Sequence, residues 1–209
     1  MFNPPSFDIL ITRAIVLVIA FTVHEFAHAW TANYFGDMTP RDQGRLTLNP
    51  LKHLDPIGSV LLLVTGFGWA RPVQINPWVL AQAAPSAMML VALAGPASNL
   101  LLAIVGSLPF WFGLQATLSG GGLLPSASLL ATEFVWINLI LLFFNLIPIA
   151  PLDGEKVAYH FLPSNGKEFL MRLRPYSGLI LIVVVFAIPQ VLTYLVGYPA
   201  SFIFNFLIR

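Results

Sequence analysis

The chain has 209 residues, of which 57% are hydrophobic and only 9% charged, and its mean hydropathy is +0.82. A soluble domain carries about 25% charged residues, so this composition excludes a water-soluble protein and predicts an integral membrane protein. There are no cysteines, which excludes disulfides and thiolate metal sites, and the net charge of +1 gives no indication of a nucleic-acid partner.

Four apolar segments are long enough to span a bilayer as helices, which needs about 20 residues. They are Ile9–Phe35, Ala84–Phe112, Leu129–Ile149 and Tyr176–Gly197. The predicted fold is an all-α polytopic membrane protein, a single domain over 1–209. Its motif-bearing core covers about residues 9–160, and an extra C-terminal helix covers about 176–197.

Two shorter apolar segments do not fit a simple span. The run Ile57–Phe67 is bounded by "LDP" and "GFG", and we interpret it as a re-entrant or tilted element. Irregular backbone at membrane depth is tolerated only inside protein or beside a water-filled cavity. The tail "ASFIFNFLIR" is short enough to lie along the membrane interface.

The basic residues predict the orientation. Eight of the ten lie between the first and second predicted spans or between the third and fourth: Arg41, Arg45, Lys52, Arg71, Lys156, Lys167, Arg172 and Arg174. The positive-inside rule makes these segments cytoplasmic. This holds if Ile57–Phe67 returns to the side it left, and the pattern is worse if that segment crosses.

Two opposite charges lie about one turn inside the outer ends of their spans, Arg13 in the first and Glu133 in the third. Charges at equal depth in a membrane usually find partners, so the two are candidates for an ion pair. The alternative is that each side chain reaches the interface separately.

The first span carries the chemistry. Its "HEFAH" stretch, His24 to His28, matches H-E-x-x-H, and positions i and i+4 of a helix share a face. His24 and His28 can therefore hold one Zn²⁺, and Glu25 can take the proton from its water. The alternative is a polar cluster that pairs helices, but ionisable groups in a span are expensive and favour a function.

A catalytic zinc needs a third protein ligand. The candidate is Asp153 in "FFNLIPIAPLDGEKV", where prolines and a glycine allow the chain to fold back toward the first span. The same "PLDG" is equally typical of a plain turn, so spacing alone leaves the choice open.

Three separated motifs resemble those of the site-2 proteases, which are intramembrane zinc metalloproteases. They are "TVHEFAHAW", "ALAGPASNLLLA" and "FFNLIPIAPLDG", and "GRLTLNPLKHLDPIG" lies between the first two. The resemblance covers about residues 20–160 and is greatest to the short prokaryotic branch, without a PDZ or CBS domain. It implies one Zn²⁺ on His24, His28 and Asp153, with Glu25 as general base. It also implies that Asn145 helps to bind the substrate backbone or the oxyanion, although Asn145 could equally join two helices by a hydrogen bond.

The resemblance implies hydrolysis of peptide bonds in or near a transmembrane segment of a membrane protein substrate. The bilayer and that substrate are the expected partners, and the expected location is a prokaryotic inner membrane with the site toward the cytoplasm. The alternative is a non-proteolytic metal-binding protein or transporter, although no second copy of either motif indicates repeated halves.

Three further features are open. An unwound substrate needs hydrogen-bond partners. Polar and apolar residues alternate in "RPVQI", residues 71–75, so this stretch is either an edge strand that could supply those partners or an ordinary loop. His53 is either an oxyanion donor, a supporting hydrogen-bond partner or a loop residue. Gly95-Pro96 is expected to kink the second span near the site, and Asn99 either lines the cavity or joins two helices.

Overall fold

The computed structural model describes residues 6–58, 68–113 and 125–209. The described helices are α1 Phe7–Tyr34, α2 Thr39–Asp42, α3 Pro77–Ala83, α4 Ala87–Trp111, α5 Ala127–Asn145, α6 Asp153–Phe161, α7 Ser164–Leu173, α8 Ser177–Phe186, α9 Pro189–Leu192 and α10 Tyr198–Leu207. Short 3₁₀ turns cover Pro50–Lys52 and Arg174–Tyr176, and a π-helical turn covers Thr193–Gly197. The described part of the chain contains no β-strand, so the all-α polytopic fold is confirmed.

Four helical segments are long and apolar enough to cross a membrane: Phe7–Tyr34, Ala87–Trp111, Ala127–Asn145 and Ser164–Phe186. The first three agree with the prediction, except that the third ends at Asn145 rather than Ile149. Pro148 and Pro151 follow closely, and prolines cannot donate the backbone hydrogen bonds that would continue the helix.

The fourth predicted span, Tyr176–Gly197, was wrong in its position. The long apolar segment is Ser164–Phe186, in which α7 and α8 join through the 3₁₀ turn. Helix α8 ends at Phe186, and Ile188 has φ −132° and ψ 57° before Pro189. A residue before proline is disfavoured in the α conformation, so the predicted span is interrupted there.

The core of the bundle is α4, which packs against α1, α5 and α6. The buried face of α1 recurs every four residues and continues through the metal motif: Thr12, Val16, Ala20, His24, His28 and Ala32. Small residues on this face let the backbones of membrane helices approach closely. The histidines are therefore directed at α4 by the same face that packs the bundle.

The C-terminal tail forms α10 and packs against the bundle. Ala200 and Leu207 are buried in one cluster with Val135, Leu139 and Leu142 of α5. The indole N–H of Trp111 donates to the carbonyl of Leu207. The tail thus covers α5, whereas the sequence suggested only an interfacial segment.

The outer ion pair is present. Arg13 Nε lies 3.1 Å from Glu133 Oε2, which joins α1 to α5. The carboxylate side chain is 15% exposed, so it is largely withdrawn from solvent. Of the two alternatives from the sequence, pairing is the one observed.

The predicted re-entrant run Ile57–Phe67 lies mostly outside the described residues. Its flanks are described and meet. Leu54 and Ala70 form an isolated antiparallel bridge, and the Arg71 N–H donates to the His53 carbonyl at 2.8 Å. The residues before and after the run therefore lie on the same side of the bundle, which is the condition on which the charge-based orientation depended.

Candidate metal centre

Helix α1 brings three ionisable side chains of the HEFAH stretch into one buried place. His24, Glu25 and His28 are all under 9% exposed. The i, i+4 spacing puts the two imidazoles side by side, and their Nε2 atoms are 3.0 Å apart. Helix geometry alone thus puts two candidate nitrogen ligands next to each other.

Asp153 completes the group. It is the first residue of α6, and its Oδ2 lies 3.2 Å from His24 Nε2 and 3.1 Å from His28 Nε2. The "PLDG" stretch had two interpretations, a metal ligand or a plain turn. The chain does turn here, and the turn brings the Asp153 carboxylate to the two histidines. The three ligand atoms lie within 4.8 Å of one another, and all three residues are buried.

Gly154 allows Asp153 to reach this position. A Cβ added at Gly154 would lie 2.2 Å from the carbonyl oxygen of Leu146 and 2.5 Å from that of Ile147. These are backbone atoms and have no side-chain freedom with which to yield. Any side chain at position 154 would therefore push the first turn of α6, and Asp153 with it, away from the end of α5.

The geometry fits a zinc ion. Tetrahedral ligands about 2.0–2.1 Å from Zn²⁺ are separated by roughly 3.3 Å, and the three distances here are 3.0, 3.1 and 3.2 Å. Each Nδ1 faces an oxygen: His24 Nδ1 is 2.6 Å from Asn99 Oδ1, and His28 Nδ1 is 2.7 Å from the Val91 carbonyl. With Nδ1–H committed to these oxygens, both Nε2 lone pairs are left for a metal.

Gly95 of α4 supplies the space beside the two imidazoles. A Cβ there would lie 2.4 Å from His28 Nε2 and 2.5 Å from His24 Nε2. The sequence suggested that Gly95-Pro96 would make room through a kink. The missing side chain leaves room at the Nε2 atoms of both histidines, where a metal could be bound, and the kink stays a prediction.

Glu25 faces the segment between the first two long helices. Its Oε2 accepts a hydrogen bond from the backbone N–H of Val73 at 2.9 Å. Arg45 holds the same segment by donating to the carbonyls of Arg71 and Pro72. Asp37 holds its far end by accepting from the Asn76 N–H at 2.6 Å. The segment is thus fixed across the end of α1, beside Glu25.

Residues 71–75 have no strand partner among the described residues, but they alternate in exposure. Arg71, Pro72 and Gln74 are exposed, and Val73 and Ile75 are half-buried. This alternation is typical of an extended chain lying against protein on one side. No strand is assigned to these residues, so the predicted edge strand is not observed, and a role for the segment in holding substrate stays a prediction.

The two candidate asparagines, Asn145 and Asn99, have different hydrogen-bond partners. Asn145 donates from Nδ2 to the Leu141 carbonyl of its own helix at 3.0 Å. Its proposed part in catalysis stays a prediction. Asn99 is fully buried and contacts both His24 and Asn138, so it joins helices and also contacts a candidate metal ligand.

His53 is fully buried, and its Nε2 lies 2.7 Å from the Thr47 carbonyl. Its Nδ1 is buried without a hydrogen-bond partner in the described structure. Burial lowers the pKa of His53 below its ordinary value, so the ring is neutral at pH 7. A direct role on the substrate would require this ring to become accessible.

The charge on Asp153 is set by two opposing effects. In the metal-free protein, burial raises the pKa of its carboxyl, whereas protonated His28 and His24 beside it lower that pKa, and the net direction is downward. The carboxyl is therefore ionised at neutral pH, which is the form that can bind a metal.

Several residues that shape the site were missed from the sequence. Asn138, fully buried in α5, hydrogen-bonds Asn99 at 2.9 Å, and Arg45 and Asp37 anchor the extended segment. An amide in the middle of an otherwise apolar span was the available signal for Asn138. Nothing in the sequence connected Arg45 or Asp37 to Glu25.

Comparison with known proteins identifies the family. The chain is 42% identical over 179 residues to "Putative zinc metalloprotease YwhC" of Bacillus subtilis, covering 84% of this chain and 80% of that protein. It is 31% identical over 183 residues to "Putative zinc metalloprotease Rip2" of Mycolicibacterium smegmatis, covering 80% of this chain and 66% of that protein. It is 30% identical over 159 residues to "Putative zinc metalloprotease MJ0611" of Methanocaldococcus jannaschii, covering 75% of each.

No protein-family model matches the chain, and no solved structure matches it significantly. The likeness to YwhC extends over most of both chains. The protein therefore belongs to the zinc metalloprotease family that these relatives represent, and it is a membrane protein of that family.

Proposed function

We propose that this protein is an intramembrane metalloprotease of the site-2 type, which hydrolyses peptide bonds in or near transmembrane segments of membrane proteins. The observation that carries the proposal is a buried His24–His28–Asp153 group, with Glu25 beside it, inside a bundle of apolar helices. Ionisable groups in such a bundle indicate function rather than packing. The names of the relatives support the zinc and the peptidase activity.

In this proposal His24, His28 and Asp153 hold one zinc ion per chain. Zinc, when bound, polarises the scissile carbonyl and lowers the pKa of water toward ~7. Three protein ligands would leave a fourth position for water, as catalytic zinc sites require. The buried Asp153 contributes one negative charge, which partly balances that of the ion.

Glu25 acts as the general base. Its carboxylate takes a proton from water as the water oxygen bonds to the substrate carbonyl carbon, and it returns that proton to the amine nitrogen as the C–N bond breaks. The hydrogen bond from the Val73 N–H orients the carboxylate. Asn145 remains a proposed donor to the substrate backbone or oxyanion.

The extended segment 71–75 has a proposed role in holding substrate. A transmembrane helix must unwind before its carbonyls can be attacked, and the freed backbone groups then need partners. A chain beside Glu25 that already has extended geometry can supply them by strand addition. Its anchoring by Arg45 and Asp37 fixes the register between the substrate and the base.

Val73→Pro tests this role, because proline removes the N–H that faces Glu25. We expect cleavage to be lost and zinc to be retained, measured by product formation and metal content on the same preparation. Gln74→Pro is the matched control, since Gln74 is exposed and its side chain accepts from Gln43 rather than contacting Glu25, and it should be milder. Unchanged cleavage by Val73→Pro would sink the idea.

The location proposed with this function is a prokaryotic inner membrane, with the site toward the cytoplasm. The positive-inside rule supports this location, because Arg41, Arg45, Lys52 and Arg71 lie between the first two spans and Lys156 lies between the third and the fourth. The HEFAH stretch lies in the C-terminal half of α1, next to the first of these basic segments. This is the side from which water would reach the site.

The proposed function is tested with reconstituted protein. Single-span helices bearing a soluble reporter are incorporated with it into proteoliposomes, and product termini are identified by mass spectrometry. The expected result is chelator-sensitive cleavage within or next to the span. Cleavage confined to soluble substrates, or zinc bound with no cleavage of any helix by wild type, would overturn the proposal and favour a non-proteolytic metal-binding protein.

A further inference from the structure

One chain of side-chain amides runs from His24 across two helices. Asn99 of α4 lies 2.6 Å from His24 Nδ1 through its Oδ1, and its Nδ2 donates to Asn138 Oδ1 at 2.9 Å. Asn138 of α5 then donates from Nδ2 to the Phe134 carbonyl at 2.8 Å. Both amides are fully buried, so no solvent competes for these bonds.

The last member of this chain decides the direction of all the others. The Phe134 carbonyl only accepts hydrogen bonds, so the NH₂ of Asn138 must face it. Asn138 then presents its oxygen to Asn99, and Asn99 must answer with its own NH₂. The Asn99 oxygen is left facing His24, which can only donate to it from Nδ1–H.

We infer that Asn138 is a positioning residue for the metal site, which fixes the tautomer of His24 through the orientation of the Asn99 amide. A neutral imidazole carries one proton, so Nδ1–H leaves the lone pair on Nε2, the atom that faces His28 and Asp153. His28 needs no such relay, because its Nδ1 faces the Val91 carbonyl directly. The inference rests on the zinc site proposed above.

Without Asn138, the side-chain amide of Asn99 is expected to rotate by about 180°, which exchanges its oxygen and its NH₂. In its present orientation its NH₂ would be buried without an acceptor, and orphaned buried N–H groups are rarer than under-satisfied carbonyls. After turning, the NH₂ would face His24 Nδ1, and the proton of His24 would move to Nε2. That proton occupies the lone pair a metal needs.

The test measures zinc affinity by chelator competition in purified, folded protein. Leucine has the same branching as asparagine and no hydrogen-bonding atoms, so we expect Asn138→Leu to weaken zinc binding about tenfold, at the lower end of the range for groups that support metal ligands. Thermal unfolding of each variant checks that the fold persists.

A second background separates orientation from packing. Aspartate at position 99 offers an acceptor in either orientation, so it needs no partner to direct it. Asn138→Leu should therefore weaken zinc binding about tenfold in the wild-type background but leave it nearly unchanged in the Asn99→Asp background, where the double variant is compared with Asn99→Asp alone. A packing role for Asn138 predicts an equal defect in both backgrounds. Wild-type affinity in Asn138→Leu, or an equal defect in both backgrounds, would overturn the inference.

A spectroscopic measurement reports the tautomer of His24 directly. The ¹⁵N chemical shifts of the His24 ring in zinc-free wild type, at a pH where it is neutral, should report Nδ1–H, and Asn138→Leu should shift them toward Nε2–H. A wild-type ring protonated at Nε2 would contradict the relay. Failure of wild type to bind zinc would instead contradict the proposed function, and the two failures are thereby distinguished.

Discussion

Glu25→Gln is expected to abolish peptide hydrolysis while leaving zinc binding intact. Glutamine keeps the size of the side chain and can still accept from the Val73 N–H, but it cannot take a proton from water. General acid–base groups contribute about 10²–10⁴-fold to a rate, so we expect a loss of at least roughly a thousandfold. The measurement is the initial rate of cleavage of a reporter span, with metal content determined on the same preparation.

Glu133→Gln is the matched control for this variant. It makes the same chemical change in a largely buried glutamate, at the Arg13 ion pair between α1 and α5. Its stability can fall because Arg13 loses a partner, but the cleavage rate per folded protein should stay close to that of wild type. Retained hydrolysis by Glu25→Gln would show that Glu25 is not the general base. Loss of zinc from Glu25→Gln would show that Glu25 supports the metal site instead.

Gly95→Ala is expected to lose the metal. The added Cβ would lie 2.4 Å and 2.5 Å from the Nε2 atoms of His28 and His24, which are the ligand atoms themselves. Overpacking of this kind costs about 1–3 kcal/mol when the neighbours can move, but here their movement also destroys the ligand geometry. We expect zinc affinity to fall about a hundredfold or more, measured by chelator competition, with activity lost in parallel.

Two alanine variants separate this collision from general effects of glycine replacement. Gly106→Ala, also in α4, would collide with the Phe134 ring at 2.5 Å, so it disturbs packing away from the metal ligands. Gly178→Ala meets nothing within 4 Å. Both should retain zinc, and Gly106→Ala should unfold at lower temperature. Wild-type zinc affinity in Gly95→Ala would show that the space beside the imidazoles is not the metal's.

The long spans could be predicted because they depend on composition over about 20 residues, which the sequence states directly. The fourth was displaced because the charged residues Lys167, Glu168, Arg172 and Arg174 made the first half of Ser164–Phe186 resemble a loop, whereas the apolar run after Tyr176 continues past Pro189. Hydropathy does not say where helices join or break. The boundaries came from Ile188 and Pro189, whose backbone preferences are local. The sequence contained that proline, but its effect was outweighed by the apolar run.

The site was predictable to the extent that one helix encodes it. His24 and His28 are adjacent because helical spacing puts them so, whatever the rest of the chain does. Asp153 could be proposed but not distinguished from a turn, because its approach depends on the contact of Gly154 with the Leu146 carbonyl. Such close backbone contacts leave no periodic pattern in a sequence.

The supporting contacts were the least predictable part. Asn99 and Asn138 are 39 residues apart, and their hydrogen bond exists only because α4 and α5 pack in one register. The same holds for Val73 and Glu25, which are 48 residues apart. Sequence reasoning finds polar residues in apolar helices, but it does not tell which of them face each other.

The measurement that tests the central claim most directly is the zinc content of purified protein, determined by mass spectrometry for wild type, Glu25→Gln and Asp153→Ala. The exposed-site variant Asp42→Ala is the matched control for the aspartate change. The account predicts about one zinc per chain in wild type, Glu25→Gln and Asp42→Ala, and strong loss in Asp153→Ala. Full zinc in Asp153→Ala would contradict the ligand set, and well-folded wild type without zinc would contradict the metalloprotease itself.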